Sequence, residues 1–127
     1  MLACDCAITP AVLGTAGEPL DIGRAQHLIT PAQRKALVLR DRGCSFPGCH
    51  RPPKYCDGHH IRAWYQGGHT DLHNLCLLCT HHHRLVHRAT WEVRIAADGL
   101  PEFIPPAFID AQRRPRRNNL HLVPLVA

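Results

Sequence analysis

Cysteine and histidine crowd into one part of this chain, and this crowding constrains what the chain can fold into. Residues 56–87 read CDGHHIRAWYQGGHTDLHNLCLLCTHHHRLVH, and Cys44 and Cys49 lie shortly before them. Thiolates and imidazoles are ligands that zinc and other divalent ions favour. Side chains of these types are rarely needed at such density only to fill a core. The stretch therefore predicts metal sites, and the rest of the chain is expected to hold those sites in place.

Two pairs of these residues have the spacing of zinc ligands. Cys44 and Cys49 bracket a Pro-Gly turn, and Cys79 and His82 lie three residues apart. Zinc in structural sites takes four tetrahedral nitrogen and sulfur ligands. Because each pair supplies half of such a set, we predict one structural zinc bound by all four residues. Its removal is expected to unfold a domain of this size.

Two other cysteines of this region have less support as metal ligands. Cys56 is either an alternative ligand or a packed thiol, and Cys76 lies in an apolar run that predicts core packing. The chain has seven cysteines, an odd number, and its opening residues do not form a signal peptide. It also lacks a run of about 18 apolar residues that could span a membrane. These features predict reduced thiols in a cytoplasmic protein without a membrane partner.

Helix and strand signals surround the metal ligands. Thr30 and Gln33 form a capping box ahead of a helix that is expected to run to Arg42 and to end at Gly43. Within the ligand-rich stretch, the pattern predicts a strand, a Gly-rich loop, a brief return and a helix, over residues 55–60, 66–70, 72–75 and 77–88. Hairpins are predicted on either side, over residues 10–23 and 91–104.

The histidines of this stretch divide into two groups by the direction of their side chains. His59 and His60 are consecutive on the predicted strand, where neighbouring side chains face opposite ways, so one can bind a metal while the other activates water. His83 and His87 are four residues apart and share one face of the predicted helix. His82 points about 100° away from His83, which lets it bind the structural zinc while His83 binds a second ion.

These motifs resemble those of the HNH endonucleases, whose site is a ββα-metal unit. The resemblance is carried by DGHHI at residues 57–61, by GG at 67–68, by DLHNL at 71–75, and by LC at 78–79 followed by HH at 82–83. It is closest to the HNH proteins of the actinobacterial 13E12-repeat family, through CSFPGC, RPPKYCDGHHI, GGHTDLHNLCLLC and HHRLVH, and it covers residues 28–91. Members of that family carry a long, mostly helical region before the part that corresponds to this chain.

The resemblance implies an α+β fold, a small zinc-stabilised ββα-metal domain of the His-Me finger type. An N-terminal hairpin and helix and a C-terminal hairpin are expected to flank it. On this interpretation residues 1–27 are a lead-in with the hairpin, and residues 28–104 are the nuclease domain with its zinc knuckle. Residues 105–127 are a tail rich in proline and arginine, which is expected to be solvated and disordered.

The resemblance also implies a role for each residue of the site. His60 is expected to act as the general base, and Asn74 to hold the loop and orient His60. A catalytic divalent ion is expected to bind to His59 and His83, with His87 as a further ligand or a phosphate donor. The ion itself is open among Mg²⁺, Mn²⁺, Ni²⁺ and Zn²⁺, because histidine ligands suit several metals.

DNA is the partner that these features predict. The formal net charge is +5, from 15 Lys and Arg against 10 Asp and Glu, and arginine forks match phosphate geometry. Arg62, Arg84 and Arg88 are candidates for phosphate contacts, with ordinary surface arginines as the alternative. The predicted function is a metal-dependent endonuclease that hydrolyses DNA phosphodiester bonds. The alternatives are a zinc knuckle that binds nucleic acid or protein without cutting, and an inactive remnant of a longer protein.

Overall fold

The structure is a computed structural model, and it describes residues 19–119. Two helices and four short strands make up this part of the chain: α1 (Pro31–Asp41), β1 (Cys56–His60), β2 (Leu75–Cys79), α2 (Thr80–Arg88), β3 (Glu92–Ile95) and β4 (Pro101–Ile104). This is the predicted α+β fold, with β1, β2 and α2 as its ββα unit. Neither helix in residues 19–119 has the length and apolar character needed to cross a membrane. The hairpin predicted over residues 10–23 lies largely outside the described residues.

Helix α1 begins at the predicted capping box. The Thr30 hydroxyl accepts a hydrogen bond from the Gln33 backbone N–H (3.1 Å), and the Gln33 side-chain carbonyl accepts one from the Thr30 N–H (3.0 Å). These bonds satisfy two N–H groups that the start of a helix would otherwise leave without partners. At the other end the residue in the left-handed conformation is Arg42 (φ 62°), one position before the predicted Gly43.

Strands β1 and β2 pair antiparallel, in a register that places the two histidines of β1 opposite Cys76 and Leu75. Strand β2 corrects the sequence analysis, because the helix predicted from residue 77 begins only at Thr80. Residues 72–75, predicted as a brief strand, are mostly a 3₁₀ turn. Every residue of β2 is buried, since both α1 and α2 pack on it. A strand buried on both faces is continuously apolar, and periodicity alone does not distinguish it from a buried helix.

The apolar core lies between α1, the β1–β2 hairpin and α2. Its fully buried large side chains include Leu37, Leu75, Leu77, Leu78 and Phe103. Asp41, the last residue of α1, is also buried: it accepts a hydrogen bond from the Leu77 N–H (2.9 Å) and pairs with Arg40 (2.7 Å). A buried carboxylate is tolerated when it is paired and hydrogen-bonded in this way. The contact fixes the end of α1 against β2.

The segment over residues 105–119 is folded onto the domain, which corrects the prediction of a disordered tail for these residues. Two backbone hydrogen bonds join it to β4 (2.7 and 2.8 Å). The Asn118 side chain is buried and donates to the carbonyls of Cys44 (2.9 Å) and Cys49 (2.8 Å). The arginine-rich composition suggested that this segment is solvated. Its arginines instead form salt bridges with carboxylates, in the pairs Arg113–Glu92, Arg114–Asp110 and Arg117–Asp98.

Candidate metal centres and active site

Three elements bring the predicted structural zinc ligands together. Cys44 and Cys49 lie in the turn that follows α1, Cys79 is the last residue of β2, and His82 is in the first turn of α2. Their ligand atoms all lie within 4.8 Å of one another. The His82 Nδ1 atom is 3.3 Å from the Cys79 sulfur and 3.6 Å from the Cys44 sulfur. The structure therefore assembles a Cys₃His group from the two pairs that the sequence suggested.

The chemistry of this group fits zinc. All three cysteines are buried, and burial raises the pKa of the Cys44 thiol far above its ordinary value. Thiolates gathered in such a place need a cation to stabilise them, and sulfur with one imidazole is a donor set typical of structural zinc. The Cys79 N–H donates to the Cys44 sulfur (3.4 Å), and the ring of Phe46 stacks on His82 at 4.2 Å. These contacts orient two of the ligands and shield the site from water.

Cys56 and Cys76 lie outside this ligand group. Cys56 is 2% exposed, and its thiol donates to the Pro52 carbonyl (3.4 Å). Burial raises the pKa of Cys56 to about 11 and that of Cys76 to about 12, so both are protonated at neutral pH. Both therefore behave as packed thiols, the interpretation that the sequence left open for Cys56.

A second group consists of three imidazoles, those of His59, His83 and His87. Their ligand nitrogens also lie within 4.8 Å of one another, and the ring centroids are 4.8 to 5.3 Å apart. His59 comes from the face of β1 that α2 covers, and the other two come from successive turns of α2. The structure thus brings together the three residues predicted to hold the catalytic ion.

His59 and His83 also have the protonation state that a metal requires. The pKa of His59 is lowered to about 3, mainly by burial and in addition by the neighbouring histidines. Burial likewise lowers the pKa of His83, with His87 as the second cause. A neutral imidazole is the form that binds metal. Since His87 is exposed, the group is open on one side, as a catalytic ion needs if a substrate is to reach it.

His60 points away from this group and has different neighbours. Its Nε2 atom lies 3.0 Å from the Thr70 hydroxyl, and its ring is 5.4 Å from the ring of His27 and 6.3 Å from that of Trp64. Burial lowers the pKa of His60, and His27 and Arg24 add to the effect. Even so, His60 lines the same cavity of about 610 Å³ as His59 and His87. The candidate base and two of the three candidate metal ligands therefore open onto one space.

Asn74 holds the loop between the two strands. Its side-chain oxygen accepts from the Arg62 N–H (2.8 Å), and its side-chain amide donates to the carbonyls of Arg62 (3.1 Å) and His69 (2.8 Å). Its own carbonyl accepts from the Ile61 N–H (2.8 Å). These four bonds fix the backbone that directly follows His60, which is the geometry expected for the predicted role of Asn74.

The three arginines proposed for phosphate contacts lie in different settings. Arg84 and Arg88 line a shallow groove on α2 together with His83 and His87. Arg62 folds back on its own loop, where its side chain donates to the Gln66 carbonyl (2.9 Å). In residues 19–119, none of the three takes part in a salt bridge with a carboxylate. Phosphate binding by these arginines stays a prediction.

Sequence reasoning missed the residues that surround His60. The ring of Trp64 stacks on that of His27, with 4.9 Å between the ring centroids. The guanidinium group of Arg24 lies over the same Trp64 ring, 3.8 Å from its centroid. Thr70 is fully buried beside them. No local pattern marks these side chains, because Arg24 and His27 come from the segment before α1 and reach His60 only through the fold.

The candidate ligands, His60 and Asn74 all lie between residues 44 and 87 of the chain. Comparison with protein families finds a match for this segment. Residues 42–89 match the HNH endonuclease family. The HNH segment therefore contains every residue of both candidate metal sites, and the resemblance seen in the sequence is confirmed at this level.

Relatives of the chain come from mycobacteria. It is 40% identical to the uncharacterized protein Rv1128c of Mycobacterium tuberculosis, over 83% of its own length and 23% of the relative's. It is 39% identical to the uncharacterized protein Rv1945 of the same species, over 82% of its own length and 22% of the relative's. The chain thus spans about a quarter of the length of these relatives. No solved structure matches the chain significantly. Assignment to the 13E12-repeat family in particular stays a prediction.

Proposed function

We propose that this chain is a metal-dependent endonuclease that hydrolyses DNA phosphodiester bonds. The observation that supports the proposal most is the shared cavity of about 610 Å³, which His59, His60 and His87 all line. Hydrolysis of a phosphodiester needs a site for a divalent ion and a base for the attacking water, and both must face the same phosphate. The position of His60 on the same cavity as His59 and His87 supports such an arrangement.

Each residue of the proposed site has its own role in the reaction. His59, His83 and His87 would hold a divalent ion, which would supply positive charge to neutralise the scissile phosphate and to stabilise the departing oxygen. His60 takes the proton of the attacking water, which it can do because its lowered pKa keeps the imidazole neutral at pH 7. Asn74 holds the loop that fixes the backbone next to His60. We assign Zn²⁺ to the Cys₃His group, with a structural role, because that group is shielded and offers sulfur ligands.

DNA is the proposed substrate because the groove beside the imidazole group is basic. Arg84 and Arg88 border His83 and His87 on the exposed side of α2, and guanidinium groups bind phosphates with two parallel hydrogen bonds. Contacts of this kind position the backbone and carry no sequence information. We therefore expect cleavage with little sequence preference from this domain.

A second candidate function is a zinc knuckle that binds nucleic acid without cutting it. Such a module would need the Cys₃His group and the basic surface, but it would have no use for three clustered imidazoles beside His60. An inactive remnant of a longer protein is the third candidate. The plasmid assay described next distinguishes these candidates from the nuclease.

The proposal is tested by nicking of supercoiled plasmid with Mg²⁺, Mn²⁺, Ni²⁺ or Zn²⁺. Loss of a general base costs about 10²- to 10⁴-fold in rate, so His60→Ala is expected to abolish visible nicking. Its zinc content and melting temperature should equal those of the native protein. The matched control is His73→Ala, at an exposed histidine outside both ligand groups, which should nick like the native protein. Equal nicking by His60→Ala would exclude His60 as the base, and no nicking with any of the ions would favour the binding module.

A further inference from the structure

Thr70 is a buried residue in contact with His60, and the chemistry described so far makes no use of it. Its hydroxyl oxygen lies 3.0 Å from His60 Nε2. Its backbone N–H donates to the Gly23 carbonyl (2.8 Å), and its carbonyl accepts from the Ile22 N–H (3.2 Å) and from the Gln33 side-chain amide (2.8 Å). With 0% exposure and these three bonds, Thr70 is held in one position.

The second contact of the Thr70 hydroxyl decides the direction of its hydrogen bond to His60. The hydroxyl oxygen lies 2.7 Å from the Gln26 carbonyl oxygen and 3.4 Å from that of His27. Both carbonyls only accept, so the single hydrogen of the hydroxyl goes to this side, to the nearer carbonyl of Gln26. Toward His60 the same oxygen can then only accept, which requires a hydrogen on His60 Nε2. In a neutral imidazole the other nitrogen, Nδ1, then carries the lone pair.

We propose that Thr70 selects the tautomer of His60 and thereby makes Nδ1 the atom that accepts the proton of the attacking water. The inference rests on the proposed function, since it names the reacting atom of the same base. In the step, one water O–H bond breaks, its proton goes to His60 Nδ1, and the oxygen bonds to phosphorus as the leaving oxygen departs. The hydrogen bond from His60 Nε2–H to the Thr70 hydroxyl oxygen is kept throughout the step. Thr70 is therefore a positioning residue that acts through His60.

The support for Thr70 comes from a part of the chain that precedes the HNH segment. Gln26, which takes the hydroxyl hydrogen, lies before α1, and Gln33 belongs to the capping box of α1. Both come before residue 42, where the match to the HNH family begins. His27 comes from the same segment and packs its ring 5.4 Å from that of His60. The segment over residues 21–33 thus orients the base of a site whose other parts lie beyond it.

The tautomer is read directly from two-bond ¹H–¹⁵N correlation spectra of the full ¹⁵N-labelled chain. Zn²⁺ is the only metal added, because it is diamagnetic, and the His60 signals are assigned by their absence from His60→Ala. We expect the Nε2 signal at the shift of a protonated nitrogen and the Nδ1 signal at that of an unprotonated one. In Thr70→Val, which keeps the shape and removes the hydroxyl, both signals should move toward each other as the tautomers mix.

Activity is measured on the same samples by plasmid nicking. Thr70→Val is expected to lower the rate roughly tenfold, a part of the 10²- to 10⁴-fold that loss of a general base costs. Thr70→Ser keeps the hydroxyl and should restore both the native spectrum and the native rate, which a packing role alone would not require. The assignment is overturned if the native protein shows Nδ1–H, or if Thr70→Val leaves spectrum and rate unchanged.

The two proposals fail in different ways. A native protein with Nε2–H that nicks with no ion would support the tautomer and contradict the nuclease. A native protein that nicks but shows Nδ1–H would support the nuclease and contradict the role of Thr70. Should Thr70→Val fail to fold, the native spectrum and Thr70→Ser still decide the assignment.

Discussion

Adjacent residues of β1 have opposite surroundings, and the site depends on that difference. His59 is 7% exposed and packed among imidazoles, and its pKa is lowered to about 3. His60 is half-buried and has a hydroxyl and two aromatic rings for neighbours. The alternation of side chains along a strand is what separates the proposed metal ligand from the proposed base one residue away.

Asn74 provides a test at the residue scale. Asn74→Asp keeps the shape of the side chain but replaces its amide by a carboxylate that faces the carbonyls of Arg62 and His69. Loss of two donors and the repulsion between oxygens are expected to destabilise the fold by about 3 kcal/mol. Urea unfolding measures the change, with His73→Ala, one residue away and exposed, as the control. An unfolding midpoint equal to that of the native protein would show that these bonds do not hold the loop.

The sequence predicted the ligand groups because their spacing is local. Cys79 and His82 are three residues apart and His83 and His87 four, so the members of each pair are close in the sequence, and helical geometry relates the second pair. Thr70 left no such signal, because its partners Gln26 and His60 lie 44 and 10 residues away in the chain. A hydrogen bond between distant residues is visible only once the fold is known.

The Gly-rich loop between β1 and β2 is an element whose path leaves no room for a side chain. A Cβ atom added at Gly68 would lie 1.8 Å from the Arg62 carbonyl oxygen, which is backbone and cannot rotate away. The same atom added at Gly58, on β1, would lie 2.1 Å from the tip of the Ile29 side chain, which can rotate. An alanine at Gly68 would therefore meet rigid backbone, whereas an alanine at Gly58 would meet a side chain that can move.

Gly68→Ala and Gly58→Ala should differ in their cost. We expect about 3 kcal/mol of destabilisation for Gly68→Ala, because the loop must move, and about 1 kcal/mol for Gly58→Ala, because one side chain repacks. Urea unfolding of both variants gives the two values. Equal losses of stability would mean that the loop is not held against the Arg62 backbone.

Elements were predicted best where their ends carry specific signals. The capping box of α1 and the hairpin of β3 and β4 both formed where the sequence analysis predicted them. The start of α2 was misplaced by three residues, because the apolar run of β2 is buried on both faces and has no strand periodicity. The folded structure of residues 105–119 was not predicted, because it depends on contacts with residues distant in the sequence, such as the hydrogen bond from Asn118 to the Cys44 carbonyl.

At the scale of the whole molecule, the C-terminal segment supports the Cys₃His group. Asn118→Ala removes the hydrogen bonds to the Cys44 and Cys49 carbonyls. We expect a loss of about 2 kcal/mol in unfolding free energy and faster transfer of zinc to a chelator. Asn119→Ala, at the exposed neighbouring residue, is the matched control and should behave like the native protein. Identical rates of zinc release from the two variants would show that the C-terminal segment does not stabilise the Cys₃His group.

The two ligand groups share α2, with His82 on one side of the helix and His83 on another, so the domain is expected to hold two ions at separate places. Native mass spectrometry of the chain purified with Zn²⁺ counts these ions directly. The predicted result is two ions for the native chain and one for the folded double variant His59→Ala, His83→Ala. A single ion in the native chain, or two in the double variant, would contradict the two-site arrangement.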